Sequence, residues 1–139
     1  MQNPPPGQQS SLGLAPNVAA ALSYIWIVGL ILFFLEKDNK FIRFHAMQSV
    51  LYGVTWSVVM IALAIISTII AIVAGVASAA AGDPGIVGLL ISLISMVIWL
   101  FVPLIYLGGL ILGAVKAYQN VKLKFPIIGN LAEKIAGGA

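Results

Sequence analysis

His45, Gln48, Ser49 and Tyr52 recur at i, i+3, i+4 and i+7, the spacing that sets four polar side chains on one face of a helix. His45 is the only histidine in 139 residues, and imidazole is the side chain that titrates closest to neutrality. Two kinds of chemistry use such a set. The first is hydrolysis, with Asp38, His45 and Ser49 in the roles of acid, base and nucleophile. The sequence supplies no nucleophile elbow and no oxyanion hole, and Asp38 lies in a different structural context. No catalytic residue is assigned. The second is metal binding. One histidine and four scattered carboxylates make no ligand set, and the absence of cysteine removes thiolates. No metal-binding or cofactor-binding residue is assigned, and no cofactor is expected.

What remains is a polar face on an otherwise apolar helix. One reading turns it to the interior of a helix bundle, where it lines a pathway or receives a headgroup or peptide. The other leaves it at headgroup depth, where polar groups cost little. The residues themselves leave both open.

The elements that carry this face belong to a membrane protein. The chain is 61% hydrophobic and only 8% charged, with a mean hydropathy of +1.09. Soluble domains carry about 25% charged residues. Charge is absent over residues 18–35, 50–82 and 84–115, and each run reaches the ~18 residues of a transmembrane helix candidate. The fold class is therefore all-α, an integral membrane helical bundle with three transmembrane helices and short interfacial helices. A net charge of +3 does not make a nucleic-acid-binding domain, because the basic residues sit at the ends of apolar runs.

In chain order, residues 1–16 form a disordered Pro/Gln-rich leader. The apolar stretch after it has no positive n-region before it and is retained as a helix. Residues 17–116 form the transmembrane domain, with helices over 17–35, 41–80 and 86–116. Asn17 is the expected N-cap of the first. The second is overlong, so its first part to about Tyr52 is interfacial. A turn at Gly82-Asp83-Pro84-Gly85 follows. Pro103 lies inside the third helix, flanked by Trp99 and Tyr106, which are assigned to packing. Residues 117–139 are a basic cytoplasmic tail. Its Ile128, Leu131 and Ile135 share one face of a short amphipathic helix lying on the membrane surface, and Asn130 and Glu133 have capping-box spacing.

Lys37, Lys40 and Arg43, with Lys116, Lys122 and Lys124, mark the cytoplasmic side and the headgroups by the positive-inside rule. Three spans then place the N-terminus outside and the C-terminus in the cytoplasm of a multi-pass protein of the cell membrane. Gly109 and Gly113 form a GxxxG pair, and Ala71, Gly75 and Ala79 repeat small-xxx-small spacing. Gly75, Gly109 and Gly113 are thus candidates for close helix packing, within one chain or between chains.

The run Phe41-Ile42-Arg43-Phe44-His45-Ala46-Met47-Gln48-Ser49 after Glu36-Lys37, and the tail Phe125-Pro126-Ile127-Ile128-Gly129-Asn130-Leu131-Ala132-Glu133-Lys134, carry a family resemblance. They resemble small bacterial and archaeal membrane proteins of unknown function, grouped with the Tic-type component of chloroplast protein import. The resemblance covers roughly residues 17–134. It implies a helical bundle with short cytoplasmic loops and no enzymatic activity. The Tic-type relatives look like four-helix proteins of preprotein translocation, whereas this chain reads as three spans.

The expected function is that of a non-enzymatic small membrane protein working through helix packing. Its partners are the lipid bilayer and either a homo-oligomer or a larger membrane complex that it serves as an accessory subunit. The alternative is a translocation or conduit component whose polar stripe, His45 to Tyr52, lines a pathway. A nucleic-acid partner is not expected.

Overall fold

The computed structural model describes residues 9–83 and 85–137. Among these the secondary structure is helical, with no strand: α1 Pro16–Leu22, α2 Trp26–Leu35, α3 Lys40–Ala80, α4 Ile86–Tyr118 and α5 Ile128–Ile135. Residues 1–8 of the expected leader and Pro84 of the expected turn lie outside the described residues. The chain divides into two compact units, Met1–Thr55 with Gly108–Ala139, and Trp56–Leu107.

The first unit holds the buried core. Ala19, Ala20, Tyr24, Leu32, Ile42, Ala46 and Ala117 pack together, drawing on α1 through α4. Phe44 and Met47 of α3 pack against Ala132 and Ala136 at the C-terminal segment. Small residues on α1, α4 and α5 let helices approach closely, which is how apolar helices gain contact where burial from water is not the driving force. The face of α5 that carries Leu131 and Ile135 is exposed, as is Ile127 just before it.

Several local expectations are corrected here. The helix expected over 17–35 is two helices, broken at Ser23–Ile25. Residues 9–15, placed in the leader, are folded: Ser10 is buried, Ser10 and Leu14 bond each other, and Ser11 bonds Glu36 through both its N–H and its hydroxyl. Asn17 is not an N-cap. Ala15 holds that position ahead of Pro16, whose fixed φ suits a first helical residue. The Asn17 amide instead donates to the Tyr118 carbonyl at 3.0 Å. Asn130 does not cap α5 either, because Ile127 precedes its first turn.

The long helices start and stop by strong local signals. Asn39 Oδ1 accepts from the N–H groups of Phe41 and Ile42 at 3.1 and 3.2 Å, an N-cap on α3. Asp83 does the same for α4, accepting from Ile86 and Val87 at 3.3 and 3.1 Å. α3 ends in a Schellman motif, with Gly82 at φ +66° and the Asp83 N–H bonded to the Ser78 carbonyl at 2.9 Å. α4 ends likewise, with Asn120 at φ +59° and the Val121 N–H on the Lys116 carbonyl at 2.9 Å.

In the second unit, α3 and α4 are exposed along nearly all their length. Trp56 and Tyr106 meet edge to face with ring centroids 5.6 Å apart. The hydroxyls of Ser67, Thr68, Ser78 and Ser92 bond carbonyls of their own helix, at 2.6–2.8 Å. That arrangement needs neither water nor a partner helix.

α3 and α4 are the helices, among the described residues, that are long and apolar enough to cross a membrane. α2, with ten residues, reaches about 15 Å, half of a hydrocarbon core of ~30 Å. Among the described residues no third helix is long enough to span.

Candidate functional site

The four polar residues of α3 face inward. His45, Gln48 and Ser49 are at most 1% exposed, and Tyr52 is 8% exposed. The stripe is buried within the protein, and the structure shows what the side chains meet there.

Gln48 sits at the centre. Its amide nitrogen donates to the Tyr24 hydroxyl at 2.8 Å and to the Leu123 carbonyl at 2.9 Å, and its amide oxygen accepts from the Phe125 N–H at 3.1 Å. Residues 121–125 lie outside any helix, and the side chain of Gln48 satisfies the Leu123 carbonyl and the Phe125 N–H there. The Tyr24 hydroxyl, having accepted from Gln48, donates to His45 Nδ1 at 3.1 Å. With the tyrosine as donor the imidazole proton lies on Nε2, which has no hydrogen-bond partner by geometry among the described residues. The ring is enclosed instead by aromatics: Phe41 and Phe44 lie edge to face, with centroids at 4.7 and 5.0 Å.

One turn along, Ser49 Oγ lies 2.5 Å from the Ser23 carbonyl oxygen and 2.9 Å from that of Ala46. Ser23 is the C-cap of α1, so the hydroxyl satisfies a backbone acceptor that the break in the helix leaves open. Gly29 of α2 makes room for this contact. A Cβ there would collide with both the Ser23 carbonyl and the Ser49 hydroxyl.

The GxxxG pair of α4 receives two tyrosines. A Cβ on Gly109 would strike the Tyr52 hydroxyl, and a Cβ on Gly113 would strike the Tyr24 ring. Tyr52 also lies against Phe125, with centroids 5.1 Å apart. These two glycines therefore serve packing inside the chain. Gly75 differs, since nothing within the chain lies within 4 Å of its added Cβ.

The basic residues divide in the same way. Arg43 donates to the carbonyls of Glu36 at 2.8 Å, Phe33 at 3.3 Å and Ala136 at 3.4 Å, so one guanidinium closes the C-terminal ends of α2 and α5. It also lies over the Phe33 ring at 4.6 Å. Lys122 and Lys124 each reach a different oxygen of Glu133 at 2.7 Å, and Lys122 lies over the Phe44 ring at 4.7 Å. Hydrogen bonds from Lys122 and then Lys124 hold the Glu133 carboxyl below its usual range. Lys37 and Lys40 are exposed, and Lys116 bonds Gln119 at 3.3 Å.

The sequence reading did not single out Ser23 or Asn39, and it gave neither Tyr24 nor Glu133 these partners. A signal was present at positions 23 and 24: Ser23 and Tyr24 are adjacent polar groups inside an apolar run. Chemically the site is closed. Apart from His45 Nε2, the donors and acceptors described above are spent on one another and on backbone groups, and among the described residues no three His, Cys, Asp or Glu side chains gather to hold a metal.

Comparison with known proteins agrees with a membrane setting. A UPF0132 membrane protein of Methanocaldococcus jannaschii is 33% identical over 132 residues, covering 91% of this chain and 93% of that one. A second from the same organism is 35% identical over 129 residues, covering 89% and 72%. One from Archaeoglobus fulgidus is 32% identical over 127 residues, covering 88% and 96%. No solved structure matches. Residues 10–132 match the magnetosome magnetite crystal formation protein family, so the folded Ser10–Leu14 turn falls within the matched region. The chain belongs to that family of small membrane proteins.

Proposed function

We propose that this is a non-enzymatic multi-pass protein of the cell membrane that acts by presenting apolar helix surface to a second membrane protein. The partner is a further copy of the chain or a complex it serves as an accessory subunit. The observation that carries the reading is the contrast at small residues. Gly109 and Gly113 are filled by the chain's own tyrosines, whereas Ala71, Gly75 and Ala79 lie on an exposed face of α3 with open space at Gly75. Small residues spaced by four let a second helix approach.

The basic loop before α3 and the basic tail after α4 are assigned to the cytoplasmic side. A reporter fused after residue 139 and read on the outer face would contradict this assignment. Purification in a mild detergent, with cross-linking before extraction, tests the packing role. The expected result is a defined higher-mass species that Gly75→Leu abolishes and Gly109→Ala does not. A monomer throughout would sink the proposal.

Two other readings draw less support. A conduit or Tic-type translocation role needs the stripe to line open space, and the stripe is buried and hydrogen-bonded. A part in magnetite crystal formation, which the family description names, needs iron-ligating groups. The described residues offer scattered carboxylates and one histidine enclosed by aromatic rings.

A further inference from the structure

Residues 16–35 have the composition of a membrane span but not its geometry. A straight helix of that length would set its ends about 29 Å apart. Ser11 Oγ nevertheless lies 2.9 Å from Glu36 Oε1, and the five residues linking Ser11 to Pro16 reach back at most about 17 Å. The segment must double back. Its register against the long helices says where. Asn17, at the start of α1, bonds Tyr118, and Tyr24, just past its end, packs on Gly113. α1 therefore runs alongside the last turns of α4. α2 then returns along α3, from the Ser49 level at Ser23 and Gly29 to the Arg43 level at Phe33 and Glu36.

We propose that α1 and α2 form a re-entrant wedge that enters the cytoplasmic leaflet, turns at Ser23–Ile25 and leaves on the side it entered, with lipid acyl chains covering its outer face. Three observations join here. The outer face is apolar at every large position, through Leu22, Ile25, Trp26, Leu30, Ile31 and Phe34, all exposed. Charge is confined to the mouth of the wedge, at Glu36, Lys37, Asp38 and Lys40, which suits headgroups. The backbone at the turn is closed inward by Ser49 on the Ser23 carbonyl, and irregular backbone at membrane depth is tolerated only where protein satisfies it. The α2 length of about 15 Å is that of one leaflet. Residues 9–15 then lie on the cytoplasmic side. This replaces the placement outside that an unbroken span over 17–35 would give.

The proposal rests on α3 and α4 both crossing the membrane. Because the chain contains no cysteine, single-cysteine variants at Gln9, Ala81 and Lys134 can be labelled with an impermeant maleimide in right-side-out and inverted vesicles. Gln9→Cys and Lys134→Cys should label only from the cytoplasmic face, and Ala81→Cys only from the other. Labelling of Gln9→Cys together with Ala81→Cys overturns the wedge and leaves the packing proposal standing. Labelling of Ala81→Cys and Lys134→Cys from one side overturns the wedge with the two crossings beneath it. For the lipid contact, a chain keeping Trp26 alone (Trp56→Phe, Trp99→Phe) is reconstituted in vesicles with brominated acyl chains. Strong loss of Trp26 fluorescence is expected. Unquenched Trp26, whether covered by a second copy or by water, overturns the assignment of that face to lipid.

Discussion

The two units of this protein treat polar groups in opposite ways. In the unit built from residues before Trp56 and after Leu107, side chains of α3 reach across to other elements: Gln48 to Tyr24 and residues 123–125, Ser49 to Ser23, Arg43 to three carbonyls. In Trp56–Leu107, the hydroxyls of Ser67, Thr68, Ser78 and Ser92 turn back onto their own helices. One region is specified by hydrogen bonds between elements, the other by length and hydropathy. Substitutions should therefore cost much in the first unit and little in the second.

The largest effect is expected at Gln48. Gln48→Leu strands the Leu123 carbonyl and the Phe125 N–H and removes the donor to Tyr24. A stranded buried group costs about 1–3 kcal/mol, so the two together should cost about 2–6 kcal/mol in detergent unfolding followed by circular dichroism. An effect below about 1 kcal/mol would mean that water replaces the amide. Next comes Gly113→Ala, which drives a methyl into the Tyr24 ring and should cost roughly 1–3 kcal/mol. Gly75→Ala is its control in the other unit and should fall within about 0.5 kcal/mol of the wild type. Equal costs at the two glycines would abolish the distinction between the units.

Ser49→Ala should cost about 1–2 kcal/mol by leaving the Ser23 carbonyl unpaired, and it should loosen the turn between α1 and α2 in hydrogen exchange more than any residue of Trp56–Leu107. The smallest effect belongs to Glu133. Its carboxyl is held low in the folded state, so its contribution is present above the unfolded carboxylate range and is lost as pH falls through the lower folded value. Glu133→Gln should remove that acid limb of the stability profile and make stability less sensitive to salt.

Much of the architecture was legible because long uncharged runs and the turn at Gly82 and Asp83 are strong local signals. The bounds of α3 and α4 follow from them. The same logic failed over 17–35, where hydropathy counts apolar residues without regard to direction. Ser23 and Tyr24 break that run only because Ser49, Gln48 and His45, more than 20 positions later, receive them. Likewise the periodicity of His45, Gln48, Ser49 and Tyr52 identified a shared face but could not say what it met. Its partners are the Tyr24 hydroxyl, the carbonyls of Ser23 and Leu123 and the Phe125 N–H; most are backbone groups, which carry no residue identity. The basic residues were read incompletely for a related reason. Arg43, Lys122 and Lys124 fit an orientation rule by position, yet each also has a bonding role that depends on the fold.

The account stands on residues 16–35 leaving the membrane where they entered it. A Ser11→Cys, Glu36→Cys pair, placed in the otherwise cysteine-free chain and oxidised in native membranes, tests this directly, with the linked peptide read by mass spectrometry. The expected result is an intramolecular disulfide, because the Ser11 hydroxyl reaches the Glu36 carboxylate at 2.9 Å. Free thiols that label from opposite faces and never cross-link would contradict it, since a span would hold them apart by the ~30 Å thickness of the hydrocarbon core.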